Sequence, residues 1–187
     1  MSIVLASASP RRRELLQRAG VDFTVRASDA EEFIEPGTPP HEAVMQLAAQ
    51  KAAAVARDCP DDLVIGADTV VVFDGEILGK PTDAADAARM LHRLSGQTHA
   101  VYTGVCLVRG GKTETFFEQT QVTFYPLTDE QIASYIATGE PMDKAGAYGI
   151  QGRGCTLVRG ICGDYFNVVG LPVAALCRRL NEIGELK

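Results

Sequence analysis

An apolar, β-branched run interrupted by one carboxylate, residues 63–73, constrains the fold of this chain most strongly. The run reads Leu-Val-Ile-Gly-Ala-Asp-Thr-Val-Val-Val-Phe, which is typical of a buried strand. Asp68 lies in its middle, and an ionised carboxylate there is costly unless a cation, a metal or several N–H donors meet it. Asp74-Gly75 then predicts a hairpin turn that returns the chain towards Lys80. Asp68 is therefore either a functional carboxylate, with Lys80 as a candidate partner, or a structural one satisfied by turn amides.

Length and composition indicate a globular chain of ordinary make-up. The 187 residues suit one domain, residues 1–187, with room for two lobes. The formal net charge of −6 argues against a broad nucleic-acid surface. No apolar run approaches the roughly 20 residues of a membrane span, and no secretory signal is visible. The five cysteines are odd in number and none are spaced as CxxC, so we expect reduced core thiols in a cytoplasmic protein.

The first candidate site is a strand, a hydroxyl-rich turn and a helix start. After the apolar residues 3–6 come Ser7, Ser9 and Pro10, of which Ser9 can cap a helix and Pro10 suits its first position. Three arginines, residues 11–13, follow in the first turn, where the helix dipole favours negative charge. Helix amides, hydroxyls and arginines together predict a phosphate site, and the alternative is a solvated basic face.

An acidic connection and an alanine-rich helix supply further candidates. Residues 28–40 carry four carboxylates, which either hold a hard divalent cation or are simply solvated. Residues 41–57 have the spacing of an amphipathic helix. Lys51 falls on the apolar stripe of that helix, so its ammonium points into a cleft or extends out past the core.

The second half of the chain contains another unusual segment, residues 143–154, with four glycines in a dozen residues. The glycines permit close backbone approach to a ligand, and the spacing fits neither GxGxxG nor the Walker A pattern. Around this segment the patterns predict further elements: helices at 83–94, 128–138 and 173–183, a hairpin of 98–108 with 112–124, and strands near 155–161 and 165–169.

Taken together, these motifs resemble the Maf family of nucleoside triphosphate pyrophosphatases over nearly the whole length. The motifs in family order are residues 6–12 with 14–16, 49–52, 66–69, 79–81, 95–96, 144–152 and 169–172. The resemblance implies an α/β fold: an elongated, twisted mixed sheet in two lobes, similar to inosine triphosphate pyrophosphatase, with the active cleft between the lobes. It also implies a homodimer as a possible assembly.

The same resemblance implies an activity and its residues. Family members cleave nucleoside triphosphates between the α and β phosphates with a divalent metal, Mg²⁺ or Mn²⁺, giving a monophosphate and pyrophosphate. Asp68 matches the catalytic acid, which accepts a proton or binds the metal. The acidic pair, often Asp-Glu in the family, is Glu31-Glu32 here, and Glu32 matches a metal-handling position. The positions that match phosphate binding are Ser7, Arg12, Lys51 and Lys80.

Three further positions select a subgroup. Members acting on dTTP and UTP carry the residue types found here as Arg11, Thr69 and Gln151, whereas members acting on 7-methyl-GTP usually have Trp, Gln and Glu. This chain has no Trp to stack on a cationic base. The Gln151 amide can donate and accept, which suits uracil or thymine. The competing hypothesis is a nucleotide-binding regulator of septum formation and cell division that needs no turnover.

Overall fold

The computed structural model describes residues 2–186 and has an α/β architecture built on a seven-stranded sheet. The strands are β1 (Ile3–Leu5), β2 (Phe23–Val25), β3 (Leu63–Phe73), β4 (Glu76–Leu78), β5 (Thr98–Arg109), β6 (Lys112–Phe124) and β7 (Val158–Cys162). The helices are α1 (Pro10–Arg18), α2 (Pro40–Ala56), α3 (Ala84–Leu94), α4 (Asp129–Ile136), α5 (Tyr165–Val169) and α6 (Val173–Glu182).

The sheet is mixed, as the resemblance implied. Its order is β2-β1-β3-β5-β6-β7, and β4 pairs with β3. β1 runs parallel to β2 and to β3, whereas β3 with β4 and β6 with β7 are antiparallel. The turn between β3 and β4 has two left-handed residues, Asp74 (φ 52°) and Gly75 (φ 76°), which is the backbone that a tight hairpin requires. The hairpin predicted from Asp74-Gly75 is confirmed.

Two compact units divide the chain, and each has its own core. The first comprises the residues up to Thr69, Thr103–Glu118 and the residues from Gly170 onward, and the second comprises Val70–Tyr102 and Gln119–Val169. In the first, small residues of α2 pack on β1, β3 and β5. In the second, α3 and α4 pack their apolar faces around Phe124 and Tyr148. The interpretation of residues 1–187 as one domain stays a prediction.

Local signals fix the helix starts. Ser9 caps α1 with Pro10 as its first residue, and Asp83 caps α3 by accepting from Asp86 N at 2.8 Å. Thr128 and Gln131 form a capping box at the start of α4, with hydrogen bonds of 2.9 and 3.3 Å. The cap predicted at Ser9 and the predicted first position of Pro10 are confirmed, and each depends only on neighbouring residues.

The strand predicted near 165–169 is wrong, because these residues form helix α5. Phe166 N donates to Asp164 Oδ1 at 2.8 Å, which starts the turn. Buried Asn167 then donates its amide to Val101 O (3.0 Å) and Thr120 Oγ1 (2.9 Å). Tertiary bonding thus overrides the β-propensity of an apolar, Val-bearing stretch. The strand predicted near 155–161 begins later, at Val158, since Gly152–Thr156 forms a 3-10 helix.

The cysteines are free thiols, but not all of them lie in the core. Cys106 is buried, Cys59 and Cys177 are partly buried, and Cys155 and Cys162 are exposed. The expectation of core thiols is therefore wrong for the last two, which lie in the 3-10 helix Gly152–Thr156 and at the end of β7. Within residues 2–186, no helix is long and apolar enough to cross a membrane.

Candidate active site

The turn between β1 and α1 places two serines at the start of a helix. Ser7 is buried, and its hydroxyl accepts from Ser9 N at 3.3 Å. The Ser9 hydroxyl accepts from Arg12 N at 3.5 Å, which fixes the first turn of α1. Backbone N–H groups at a helix start favour an anionic ligand. The predicted strand, turn and helix start are confirmed.

Arg12 bends back from this helix start and binds the protein itself. Its Nε donates to Gly170 O (2.8 Å), one terminal nitrogen donates to Ser7 Oγ (3.3 Å), and the other donates to Thr69 Oγ1 (3.1 Å). Burial lowers the pKa of the Arg12 guanidinium, and nearby Asp68 partly opposes that shift. These three bonds hold Arg12 in one orientation. A guanidinium carries more N–H donors than these three, so Arg12 can still donate to an anion.

Lys51 lies between two carboxylates of the first unit. Its Nζ is 2.5 Å from Asp68 Oδ1 and 3.0 Å from Glu32 Oε1. The side chains of Lys51 and Asp68 are only 15% and 13% exposed, whereas that of Glu32 is 51% exposed. The cation that contacts Asp68 is thus Lys51, where the sequence had indicated Lys80. Of the two orientations left open for Lys51, the structure shows the inward one.

Glycine explains how a lysine on α2 reaches a carboxylate on β3. A Cβ at Gly66 would lie 2.2 Å from Ala48 O and 2.8 Å from Ala52 N. On β5, a Cβ at Gly104 would lie 2.3 Å from Val44 O. Only glycine lets the backbone of α2 contact the sheet this closely. The short distance between helix and strand is what brings Lys51 onto Asp68.

The acidic connection is fastened to α2 by Gln50, a residue whose role the sequence did not indicate. Its amide nitrogen donates to Phe33 O at 2.7 Å, and its amide oxygen accepts from Phe33 N at 3.1 Å. This pair of bonds fixes the chain next to Glu32 and directs Glu32 towards Lys51. In the sequence, the signal that could have pointed to this role of Gln50 was its position next to Lys51.

The carboxylates present suit a divalent cation of the Mg²⁺ class. Within residues 2–186 there is no group of three or more His, Cys, Asp and Glu side chains arranged to hold a metal. Asp68 and Glu32 nevertheless meet at one point, on Lys51 Nζ. Mg²⁺ usually takes one or two protein carboxylates and completes its oxygen shell with water and substrate phosphates. The donor set therefore fits such an ion.

The remaining predicted residues are distributed over both units. Arg11 is partly buried in the first turn of α1. The Thr69 hydroxyl lies 2.9 Å from Thr103 Oγ1 and accepts from Arg12, so Thr69 also helps to hold the Arg12 side chain in place. Lys80 and Gln151 belong to the second unit, where Lys80 is exposed and Gln151 is partly buried. Their predicted roles stay predictions.

Comparison with known proteins identifies the family. A family model described as Maf-like protein matches residues 2–183. The chain belongs to the Maf-like family. A Bacillus cytotoxicus relative named dTTP/UTP pyrophosphatase is 56% identical over 179 residues, covering 96% of this chain and 94% of that protein. A Bacillus cereus protein of the same name is 54% identical over 180 residues, covering 96% and 89%. The resemblance inferred from the motifs is confirmed.

Solved structures support the fold of this Maf-like chain. A HAM1 protein from Coxiella burnetii superposes with a TM-score of 0.53 at 14% identity, covering 96% of this chain and 98% of that one. The Staphylococcus aureus Ham1 protein gives 0.50 at 17% identity, covering 66% and 72%. At such identities the likeness concerns the fold alone, and it agrees with the predicted α/β class.

Proposed function

We propose that this Maf-like protein is a nucleoside triphosphate pyrophosphatase that hydrolyses dTTP and UTP to the monophosphate and pyrophosphate. The observation that carries the proposal is the ion pair of Asp68 and Lys51, which lies in the same unit as the turn between β1 and α1 and the Arg12 side chain bonded to it. A site that only binds a polyanion gains nothing from a carboxylate unless that carboxylate acts on water or holds a metal. The names of the two Bacillus relatives support the same substrates.

In the proposed reaction, water attacks the α-phosphorus, the bond from that phosphorus to the bridging oxygen breaks, and pyrophosphate leaves. Asp68 orients the water and accepts its proton. Arg12 and the amides of the Ser7 turn hold phosphate oxygens, and Lys51 balances the charge of the leaving group, with Lys80 in the same role. A bound Mg²⁺ or Mn²⁺, held by Asp68 and Glu32, would supply further neutralisation of the phosphates.

Base selection is assigned to Arg11, Thr69 and Gln151. Uracil and thymine are neutral and present two carbonyl acceptors beside an N–H donor. Arg11 can donate to a carbonyl, and the Gln151 amide can donate and accept. Because Thr69 also binds Arg12, its substitution is expected to disturb phosphate binding together with base preference.

The five free cysteines agree with a reducing compartment, and we place the protein in the cytoplasm.

A substrate panel tests this function. The protein is incubated with dTTP, UTP, CTP and 7-methyl-GTP in the presence of Mg²⁺, and pyrophosphate release is measured. We expect release from dTTP and UTP in preference to the other two. A preference for 7-methyl-GTP would contradict the assignment of Arg11 and Gln151. Nucleotide binding without any release would instead favour the regulator of septum formation.

Asp68→Asn tests the catalytic assignment. The amide cannot accept the proton, so kcat should fall by about 10² to 10⁴, the usual contribution of a general base. Glu118→Gln, a partly buried carboxylate of the same unit on β6, is the matched control and should keep kcat. Circular dichroism verifies that both variants fold. An unchanged kcat in Asp68→Asn would remove this residue from the mechanism.

A further inference from the structure

Glu140 holds the segment that follows Gln151. Its Oε1 accepts from Gly154 N at 3.1 Å, and its Oε2 accepts from Arg153 N at 3.0 Å. Oε1 also accepts from the Tyr135 hydroxyl at 2.9 Å. A carboxylate that accepts from backbone N–H groups forms charge-assisted bonds, which are stronger than neutral ones. Glu140 therefore fixes the backbone directly after Gln151.

Tyr135 holds the segment that precedes Gln151. Its hydroxyl accepts from Gly149 N at 3.1 Å while it donates to Glu140. Tyr135 is buried on α4, so its ring gives this hydroxyl a rigid base. The bonds through Tyr135 and Glu140 thus reach the chain two residues before and two residues after Gln151.

The glycines of this loop allow it to pack against the same two side chains. A Cβ at Gly152 would lie 2.6 Å from Glu140 Oε2. A Cβ at Gly154 would lie 2.0 Å from Gly149 O and 2.8 Å from the Tyr135 hydroxyl. Gly152 also has a φ of 61°, which L side chains rarely adopt. The glycines, which the sequence associated with close approach to a ligand, permit close approach to Glu140 and Tyr135.

The charge state of Glu140 suits this role at neutral pH. Burial acts to raise the pKa of its carboxyl, but the bonds from Arg153 N, Gly154 N and Tyr135 outweigh burial and hold the pKa below its usual value. Lys144 adds a favourable charge and donates to Glu140 O at 2.7 Å. The ionised form, which accepts at both oxygens, is therefore the one present.

We propose that Glu140 and Tyr135 are positioning residues that set the Gln151 amide for selection of the substrate's base. The inference rests on the proposed function, because it assigns base recognition to Gln151. Discrimination between uracil and cytosine depends on which hydrogen-bond donors and acceptors face the base, and small displacements of a positioned group are costly. Loss of either anchor should therefore weaken discrimination between bases more than it weakens phosphate chemistry.

The test compares Glu140→Gln and Tyr135→Phe with wild type on UTP and CTP. Gln has one acceptor oxygen and directs an NH₂ group at a backbone N–H, whereas Phe fills the same volume as Tyr without the hydroxyl. We expect the ratio of kcat/KM for UTP over CTP to fall at least about tenfold in each variant. Glu76→Gln, at the exposed first position of β4, and Tyr125→Phe, at an exposed position just after β6, should keep the wild-type ratio.

Two further measurements separate the possible failures. In a Gln151→Leu background, Glu140→Gln should change the ratio no further, because both act through one amide. Equal losses of kcat/KM on UTP and CTP would overturn the positioning role and leave a purely structural one. If wild type shows no turnover, the proposed function fails, and the ratio of Kd for UTP and CTP then decides the positioning role by the same criterion.

Discussion

At the residue scale, Lys51 is the charge of the candidate site that contacts two carboxylates. It bridges Asp68 and Glu32, so two carboxylates are held together that would otherwise repel each other. Both Lys51 and Asp68 are largely shielded from water, which strengthens their attraction and raises the cost of leaving either one alone. Removing one member of the pair should therefore affect the folded state as well as the substrate binding that we propose.

Lys51→Met keeps an unbranched side chain of nearly the same length and removes the ammonium charge. Because a hydrogen bond to a charged group is worth about 1.5–3 kcal/mol, kcat/KM should fall about 10- to 10²-fold. The free energy of unfolding should fall by about 1–3 kcal/mol, since Asp68 loses its cation. Steady-state kinetics and urea unfolding measure the two effects.

A matched control variant and a double variant test whether the loss of the ion pair causes these effects. Lys112→Met removes one exposed lysine at the start of β6 and should change neither quantity by much. Combining Lys51→Met with Asp68→Asn should recover part of the lost stability, because the unpaired carboxylate is gone. Strictly additive losses in the double variant would contradict the ion pair as the cause.

At the element scale, α2 carries both Lys51 and Gln50, and two glycines set its distance from the sheet. The helix itself and the position of Lys51 on its apolar stripe could be predicted from periodicity, which left the lysine open between a cleft and the solvent. The contact of Lys51 with Asp68 could not, because it depends on how closely two elements distant in sequence approach each other. The hairpin turn at Asp74-Gly75 made Lys80 the nearer candidate in sequence, but helix packing provided the partner.

Other parts of the fold also divide into features that neighbouring residues predict and features that depend on contacts between distant residues. Caps and turns such as the Thr128 capping box were predictable, since the residues involved are neighbours in the chain. The helix at Tyr165–Val169 was not, because buried bonds from Asn167 to Val101 and Thr120 determine it. Likewise, the role of Glu140 becomes visible only when the loop folds back on α4.

Gly66→Ala tests the contact between α2 and β3. The added Cβ would meet the backbone at Ala48 and Ala52, which cannot move without shifting the helix. We expect a loss of at least about 2 kcal/mol in the free energy of unfolding, at the upper part of the range for overpacking. Gly160→Ala, where a Cβ meets nothing within 4 Å, is the control. Urea unfolding that gives equal midpoints for the two variants would contradict the close packing.

Gln50→Met tests whether the acidic connection is fastened by α2. Methionine has a similar volume but lacks both bonds to Phe33, so Glu32 should lose its fixed position. We expect the Mg²⁺ concentration for half-maximal activity to rise about 3- to 10-fold, consistent with the loss of a residue that orients a ligand. Gln46→Met, exposed about one turn earlier on the same helix, should leave the Mg²⁺ dependence unchanged. An unaltered Mg²⁺ dependence in Gln50→Met would show that Glu32 needs no such support.

At the scale of the whole molecule, the apolar core of the second unit contains a buried histidine. In the first unit, one cluster is built from small and β-branched side chains, and leucines such as Leu16 and Leu176 are also fully buried. The core of the second includes a buried polar pair, with His99 Nε2 lying 2.7 Å from the Tyr148 hydroxyl. The His99 ring also packs edge-to-face on Phe124 at 5.0 Å. A histidine in such a place links the stability of the protein to pH.

Burial lowers the pKa of His99 from 6.5 to about 4. The unfolded chain therefore takes up this proton at higher pH than the folded protein does, and folding stability rises with pH between these two values. The contribution of neutral His99 to the free energy of unfolding is complete above pH 6.5 and is lost as the pH falls towards about 4. A shift of this size corresponds to about 3 kcal/mol.

His99→Gln isolates this contribution, because Gln keeps a polar atom near the Nε2 position and does not titrate. Urea unfolding of wild type and variant between pH 7.5 and 4.5 should show wild type losing stability more steeply, so that the difference between them narrows as pH falls. His92→Gln removes an exposed histidine and should follow the wild-type curve. Parallel curves for wild type and His99→Gln would mean that His99 takes up its proton equally in both states. The narrowing difference is specific to a neutral, buried imidazole, since carboxylates titrate alike in both proteins and cancel from the comparison.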